Sequence, residues 1–147
     1  MKTLSILIVL LALIFSSCSS SLNKEEQEVL SCLEHMFDAM HHKDIPRLKE
    51  ILIENGQYHA INLNSGKITC KSFNDFIESL PKSNTQYSEL LLNPTVKLEG
   101  KIAMIWSKYE FKIDGKHSHF GTELFSFIKV NEKWKINSST YTVDINK

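Results

Sequence analysis

The residues best suited to chemistry fall late in the chain: Tyr109, His119 and Glu123, with Tyr141 downstream. An imidazole titrates near neutrality, so His119 can serve as a general base while Glu123 or Tyr109 orients its other ring nitrogen. The same groups set into an apolar wall also make a binding site, because a few convergent polar atoms fix the orientation of an otherwise greasy ligand. The plainer alternative is structural, with His119 hydrogen-bonded to a neighbour in a packed interior. His117-Ser118-His119 has the i, i+2 spacing that sends two imidazoles off one face of a strand. A metal site would need a third ligand such as Glu123 or His59, and none is signalled, so no metal is expected. Asp38, His41 and His42 crowd one helical turn, where histidine is favoured simply because the helix C-terminus stabilises its charge. Cys32 and Cys70 are either a disulfide or two free thiols, and Cys32 sits among apolar residues as small buried thiols do. The sequence has no glycine-rich phosphate loop, no Gly-x-Ser-x-Gly elbow and no CxxC pair, and no cofactor is expected.

Strands must carry these groups, and helices must cover them. Val29, Leu30, Leu33, Met36, Phe37 and Met40 recur at three- and four-residue spacing, which predicts an amphipathic helix over residues 25–42. Asp44 with Pro46 marks a second helix start, buried through Leu48, Ile51 and Leu52 and stopped by Gly56. Residues 58–63 and 67–71 flank Asn64-Ser65-Gly66 as a short hairpin. Ser72 caps a third helix, with Asp75 three residues on, and Pro81 ends it. From there the rhythm has period two. Strands are predicted at 87–98 (irregular at Asn93-Pro94), 101–113, 116–130 and 134–143, turned at Asp114-Gly115 and Asn131-Glu132. On that alternation Ala103, Ile105, Ser107, Tyr109 and Phe111 share one face, and His117, His119, Gly121, Glu123, Phe125 and Phe127 share another. Trp134 is expected to plug one end of the core beside Ile136, while Trp106 and Tyr141 are read as wall and rim. Helices followed by a meander give an α+β class.

The stretch Ala103-Met104-Ile105-Trp106-Ser107-Lys108-Tyr109-Glu110-Phe111, then Asp114-Gly115-Lys116, Ser118-His119-Phe120-Gly121, Phe125, Trp134-Lys135-Ile136 and Tyr141-Thr142, resembles the nuclear-transport-factor-2-like (SnoaL-like) α+β cone family. Small bacterial members often have Cys where this chain has Phe120, and Asp or Asn where it has Glu123. The resemblance spans residues 24–143. It implies three N-terminal helices packed on a curved, mostly antiparallel sheet, whose concave face forms a pocket that includes Tyr109, His119, Glu123 and Tyr141. The fold hosts isomerases, dehydratases, binding proteins and dimeric adaptors, so it does not choose a function.

Composition narrows the partners. The chain has 147 residues, with 17 Lys+Arg against 17 Asp+Glu, which suits one domain and argues against nucleic acid as a partner. Eight of the aromatic residues lie between Trp106 and Tyr141, where the core should be concentrated. At the other end, Lys2 precedes an apolar run of about a dozen residues, short of the roughly 20 that cross a bilayer. Phe15-Ser16-Ser17-Cys18 then resembles a bacterial lipobox. The expected organisation is a lipoprotein signal peptide at 1–17, a lipidated Cys18 with a polar tether at 18–23, and one domain at 24–147. Simple secretion with cleavage near Cys18 is the alternative. Taken together, these features predict a lipid-anchored protein of the bacterial cell envelope that binds a small apolar or amphipathic molecule, or a partner, without catalysis. An isomerase- or dehydratase-like enzyme using His119 with Tyr109 or Glu123 is the second reading. A structural protein that dimerises through the outer sheet face is the third.

Overall fold

The computed structural model describes residues 22–146. The expected signal peptide, Cys18 and most of the tether lie outside the described residues. The last tether residue, Asn23, is already structural. Its side chain accepts from the Glu26 N–H and the Glu26 carboxylate accepts from the Asn23 N–H, a capping box that starts α1 (Lys24–His42). Lys43 ends that helix in the left-handed region, and Asp44 caps α2 (Ile45–Ile51).

Gly56 does not stop α2. The chain passes at Leu52 directly into β1 (Leu52–Asn62), and Gly56 lies inside that strand, where its pairing with β6 shifts register. A Cβ at Gly56 would stand 2.5 Å from the Phe73 ring and 2.6 Å from the Asn137 carbonyl oxygen. The glycine is there because backbone and ring approach too closely for any side chain. β2 (Ile68–Ser72) returns against β1, and Ser72 with Asp75 forms the anticipated capping box of α3 (Phe73–Ser79). Pro81 sits in a single 3-10 turn, Leu80–Lys82, that closes the helix.

β3 (Tyr87–Glu99), β4 (Ile102–Ile113), β5 (Lys116–Val130) and β6 (Lys133–Val143) follow as an antiparallel meander. All six strands form one sheet in the order β2-β1-β6-β5-β4-β3, with β1 and β6 parallel. The class is α+β as expected, with one correction. Two helices precede the sheet, and α3 is inserted between β2 and β3, where it follows β2 directly at Ser72 and packs on the β1–β2 hairpin.

One face of the sheet is covered by the helices. Val29, Leu33, Leu48, Ile105 and Ile136 are fully buried there, and Trp134 is the expected plug at 7% exposure. The alternation read for β4 holds: Ala103, Ile105, Ser107 and Tyr109 are buried while Met104, Trp106 and Lys108 are exposed. Trp106 is therefore no pocket wall. It stands on the outer face, half exposed.

Candidate functional site

Along every strand the inward face changes character from one end to the other. At one end Ile105, Phe127, Ile136 and Trp134 pack under the first half of α1. At the other, the inward residues of β3 to β6 surround a cavity of about 230 Å³, roofed by Met36 and Met40 of α1 and by Phe73 and Phe76 of α3. Its polar lining is Tyr58, Glu89, Tyr109, His119, Glu123, Ser139 and Tyr141, with no lysine or arginine among the described residues.

Each aromatic has a fixed place. The Tyr109 hydroxyl donates to the Thr142 carbonyl at 2.8 Å, and its ring lies where a Cβ on Gly121, its cross-strand partner, would stand 2.5 Å away. Gly121 is thus the space into which Tyr109 folds. Tyr58 stacks on Tyr141 at 6.2 Å between centroids, and Tyr141 meets Tyr109 edge-on at the same distance. Burial, and then the neighbouring acids, push the Tyr109 phenol well above its ordinary range. Burial also raises Tyr141, with Tyr58 and the two acids adding to the effect. Both hydroxyls stay neutral and available as hydrogen-bonding groups.

The centre of the site is a pair of carboxyls, Glu89 from β3 and Glu123 from β5, which line the same cavity and lie close enough to act on each other's protonation. Glu123 is 1% exposed, and its Oε1 has no hydrogen-bond partner among the described residues. Burial raises the affinity of both carboxyls for protons, and the charge on Glu89 adds to the effect on Glu123. Burial and mutual repulsion act in the same direction, so the pair favours keeping a proton over ionising twice. Ser139 adds a second orphan, a buried hydroxyl without a partner.

The four expected pocket residues, Tyr109, His119, Glu123 and Tyr141, all line this cavity. They do not form the expected triad. His119 stacks on Phe111 at 5.1 Å and stands edge-on to Tyr109 at 5.7 Å, and its Nδ1 is 3.0 Å from the Ser118 hydroxyl. It shares no hydrogen bond with Glu123 or Tyr109 among the described residues, and burial lowers its pKa, keeping the ring neutral. His117 leaves the shared face altogether. Pairing runs Phe111 to His119 and then Lys112 to His117, so Ser118 is the extra residue of a bulge and His117 turns outward to Glu110 at 3.2 Å. The two-imidazole motif is broken by that bulge. At the end of α1, His41 hydrogen-bonds the Tyr87 carbonyl while Asp38 pairs with His42 and Arg47, all in structural roles. Cys32 and Cys70 are free thiols. Cys32 donates to the Trp134 carbonyl, and burial pushes its thiol up to about 11.

The inference from sequence missed Glu89, the partner that gives Glu123 its chemistry. The signal was present: Tyr87, Glu89 and Leu91 alternate inward, but Leu90-Leu91-Leu92 reads as a continuous apolar run that hides the period. Ser139, Tyr58 and Phe76 were also missed, being ordinary strand and helix residues until the cavity brings them together.

A helix-roofed, curved six-stranded sheet with a pocket on its concave side is the NTF2-like fold. The chain belongs to the family described as "Putative lumazine-binding", whose model matches residues 24–142. Solved structures agree on the fold. An NTF2-like protein of Cytophaga hutchinsonii superposes with a TM-score of 0.69 at 12% identity, covering 84% of this chain and 100% of that one. An NTF2-like protein of Silicibacter pomeroyi gives 0.61 at 20% identity, with 84% and 100% covered. A "putative dehydratase from the NTF2-like family" of Streptomyces avermitilis gives 0.65 at 11% identity, with 82% and 96% covered. No match was found among curated proteins.

Proposed function

We propose that this protein is an envelope lipoprotein, tethered through Cys18, whose pocket binds one small, largely apolar molecule without transforming it. The observation that carries the reading is the cavity itself, about 230 Å³ with buried, unpartnered polar atoms on Glu123 and Ser139. An engineered apolar cavity of about 150 Å³ already holds benzene, so this one has room for a ring with a short substituent. Unsatisfied buried polar atoms cost free energy, and a ligand that reaches them recovers it. The family description suggests a pteridine-like heterocycle as one occupant: flat enough for the stacked tyrosines, with polar edges for the carboxyl pair.

Native mass spectrometry of the protein purified from its own membranes is the test. A retained small molecule that is lost in Tyr141→Ala supports the reading, and an empty pocket that takes up no aromatic probe overturns it. Cys18→Ser should move the protein from the membrane fraction to the soluble one, and a wild-type protein already soluble after export would sink the anchor. A second reading, acid–base catalysis of the isomerase or dehydratase kind, draws on the same carboxyl pair, since paired acids with separated proton affinities supply an acid and a base. Turnover abolished by Glu123→Gln in a hydro-lyase assay would favour it. Self-association through the outer face is supported by exposed Leu90, Ile102 and Trp106, and light scattering would detect it.

A further inference from the structure

We propose that the pocket selects a small organic cation, a protonated amine on a ring or short hydrocarbon body, with the ammonium seated on Glu89, Glu123 and Ser139. This rests on the ligand-binding reading above and names the class of ligand. Three features of the lining carry it. The first is an imbalance of hydrogen-bonding capacity. The two carboxyls bring four acceptor oxygens to one cavity, and Glu123 Oε1 and the Ser139 hydroxyl have no partner among the described residues. An ammonium brings three donors and no acceptor, which matches two carboxyls and a hydroxyl.

The second is charge. Among the described residues no lysine or arginine lines the cavity, so none of them compensates whatever negative charge the pair carries. A cation restores neutrality inside a space where Coulomb attraction is little screened, and an anion is repelled. The third is the wall. Tyr58, Phe76, Tyr109, Phe111 and Tyr141 offer ring faces or edges around one small volume, and ring faces attract cations.

Binding is then an exchange of positive charge. Where the pair is doubly protonated, the ammonium displaces one proton to solvent and takes its place, with no covalent bond made or broken. Affinity should therefore fall on acidification, by about tenfold per pH unit once both carboxyls are protonated. The other titratable groups facing the pair are Tyr58, Tyr109, Tyr141 and His119. The phenols remain neutral throughout, and protonation of His119 at low pH adds repulsion in the same direction.

Calorimetry on the whole protein with four probes tests this: 2-phenylethylammonium, neutral 2-phenylethanol, anionic 3-phenylpropanoate and lumazine. At pH 8 the ammonium should bind at least tenfold more tightly than the alcohol, the propanoate should not bind, and the ammonium's advantage should be lost by pH 5. Glu123→Gln, close in shape, should remove the ammonium's advantage over the alcohol. Glu89→Gln serves the same purpose if that variant does not fold. Equal affinity for amine and alcohol, or tighter binding of lumazine than of the amine, would overturn the cation while leaving the pocket a binding site. If none of the four binds, both readings fall.

Discussion

The two ends of the cone are built from the same strands by the same alternation, yet one is filled and the other hollow. At the filled end Leu33, Ile105, Phe127 and Ile136 are almost wholly inaccessible. At the hollow end the corresponding inward positions are Tyr109, Glu123, Ser139 and Tyr141, and the helix above them supplies Met36 and Met40 in place of Val29 and Leu33. Hydrocarbon cores close up because every contact is interchangeable. Polar groups need specific partners, and where the chain does not provide them the space stays open. Methionine, unbranched and adaptable, is the residue that can roof a space whose contents change. The filled end gives stability, and the hollow end gives up some of it.

That contrast can be broken most directly by truncating one large side chain at each end. Phe127→Ala should cost about 3–5 kcal/mol in urea denaturation, and Trp134→Ala a similar amount. Tyr141→Ala, which only widens an existing space, should cost less than about 2 kcal/mol. Equal losses would mean the ends do not differ. Next in size is Gly121→Ala. Its Cβ would overlap the Thr142 carbonyl oxygen and lie 2.5 Å from the Tyr109 ring, so the strand or the ring must move, at about 1–3 kcal/mol. A lowered melting temperature together with lost probe binding is the expected result, and a silent substitution would remove the ring from its place in the wall.

The carboxyl pair sharpens the comparison through pH. Both acids have raised affinities in the folded state, so above the ordinary glutamate value of 4.5 the native protein keeps protons that the unfolded chain has released. Stability therefore falls as pH rises, at up to about 1.4 kcal/mol per unit for each proton retained. The wild type should be more stable at pH 5 than at pH 8, and Glu123→Gln should flatten that slope. A slope of the opposite sign would show the pair ionised and otherwise compensated. The smallest effect is chemical. Cys70 is exposed, whereas Cys32 is half-buried, donating to the Trp134 carbonyl at the filled end. A thiol reagent should label Cys70 at least about tenfold faster than Cys32, and comparable rates would show the filled end opening.

The contrast between ends also marks where sequence reasoning succeeded. Local chemistry was legible: the Ser72-Asp75 capping box, the Asp114-Gly115 and Asn131-Glu132 turns, the irregularity at Asn93-Pro94 and the stripe of α1 all appear where spacing puts them. Features that depend on two distant segments were not. Gly56 looked like a helix stop because Phe73 and Asn137, which demand it, are far away in sequence. His117 looked like a partner of His119 because nothing in His-Ser-His announces that Ser118 bulges. Glu89 went unnoticed because nothing near it in sequence announces Glu123, which lies two strands away.

The position of β6 has a consequence for how the molecule is assembled. It is the final strand of the meander, yet it lies third in the sheet, bonded to β1 on one side and β5 on the other. Until it arrives, the chain can offer only two separate pieces, the β1–β2 hairpin with α3 and the β3–β4–β5 meander. Tyr58, Phe73 and Phe76 belong to the first, while Glu89, Tyr109 and Glu123 belong to the second. Whether the chain emerges from a ribosome or threads through a membrane, the two acids have no enclosing chamber before β6 has passed. Its pairing with β5 is a local hairpin, whereas its pairing with β1 joins segments far apart in sequence, the kind of contact that forms slowly. Until then the unpaired edges of β1 and β5 are open to solvent, to chaperones and to each other's copies.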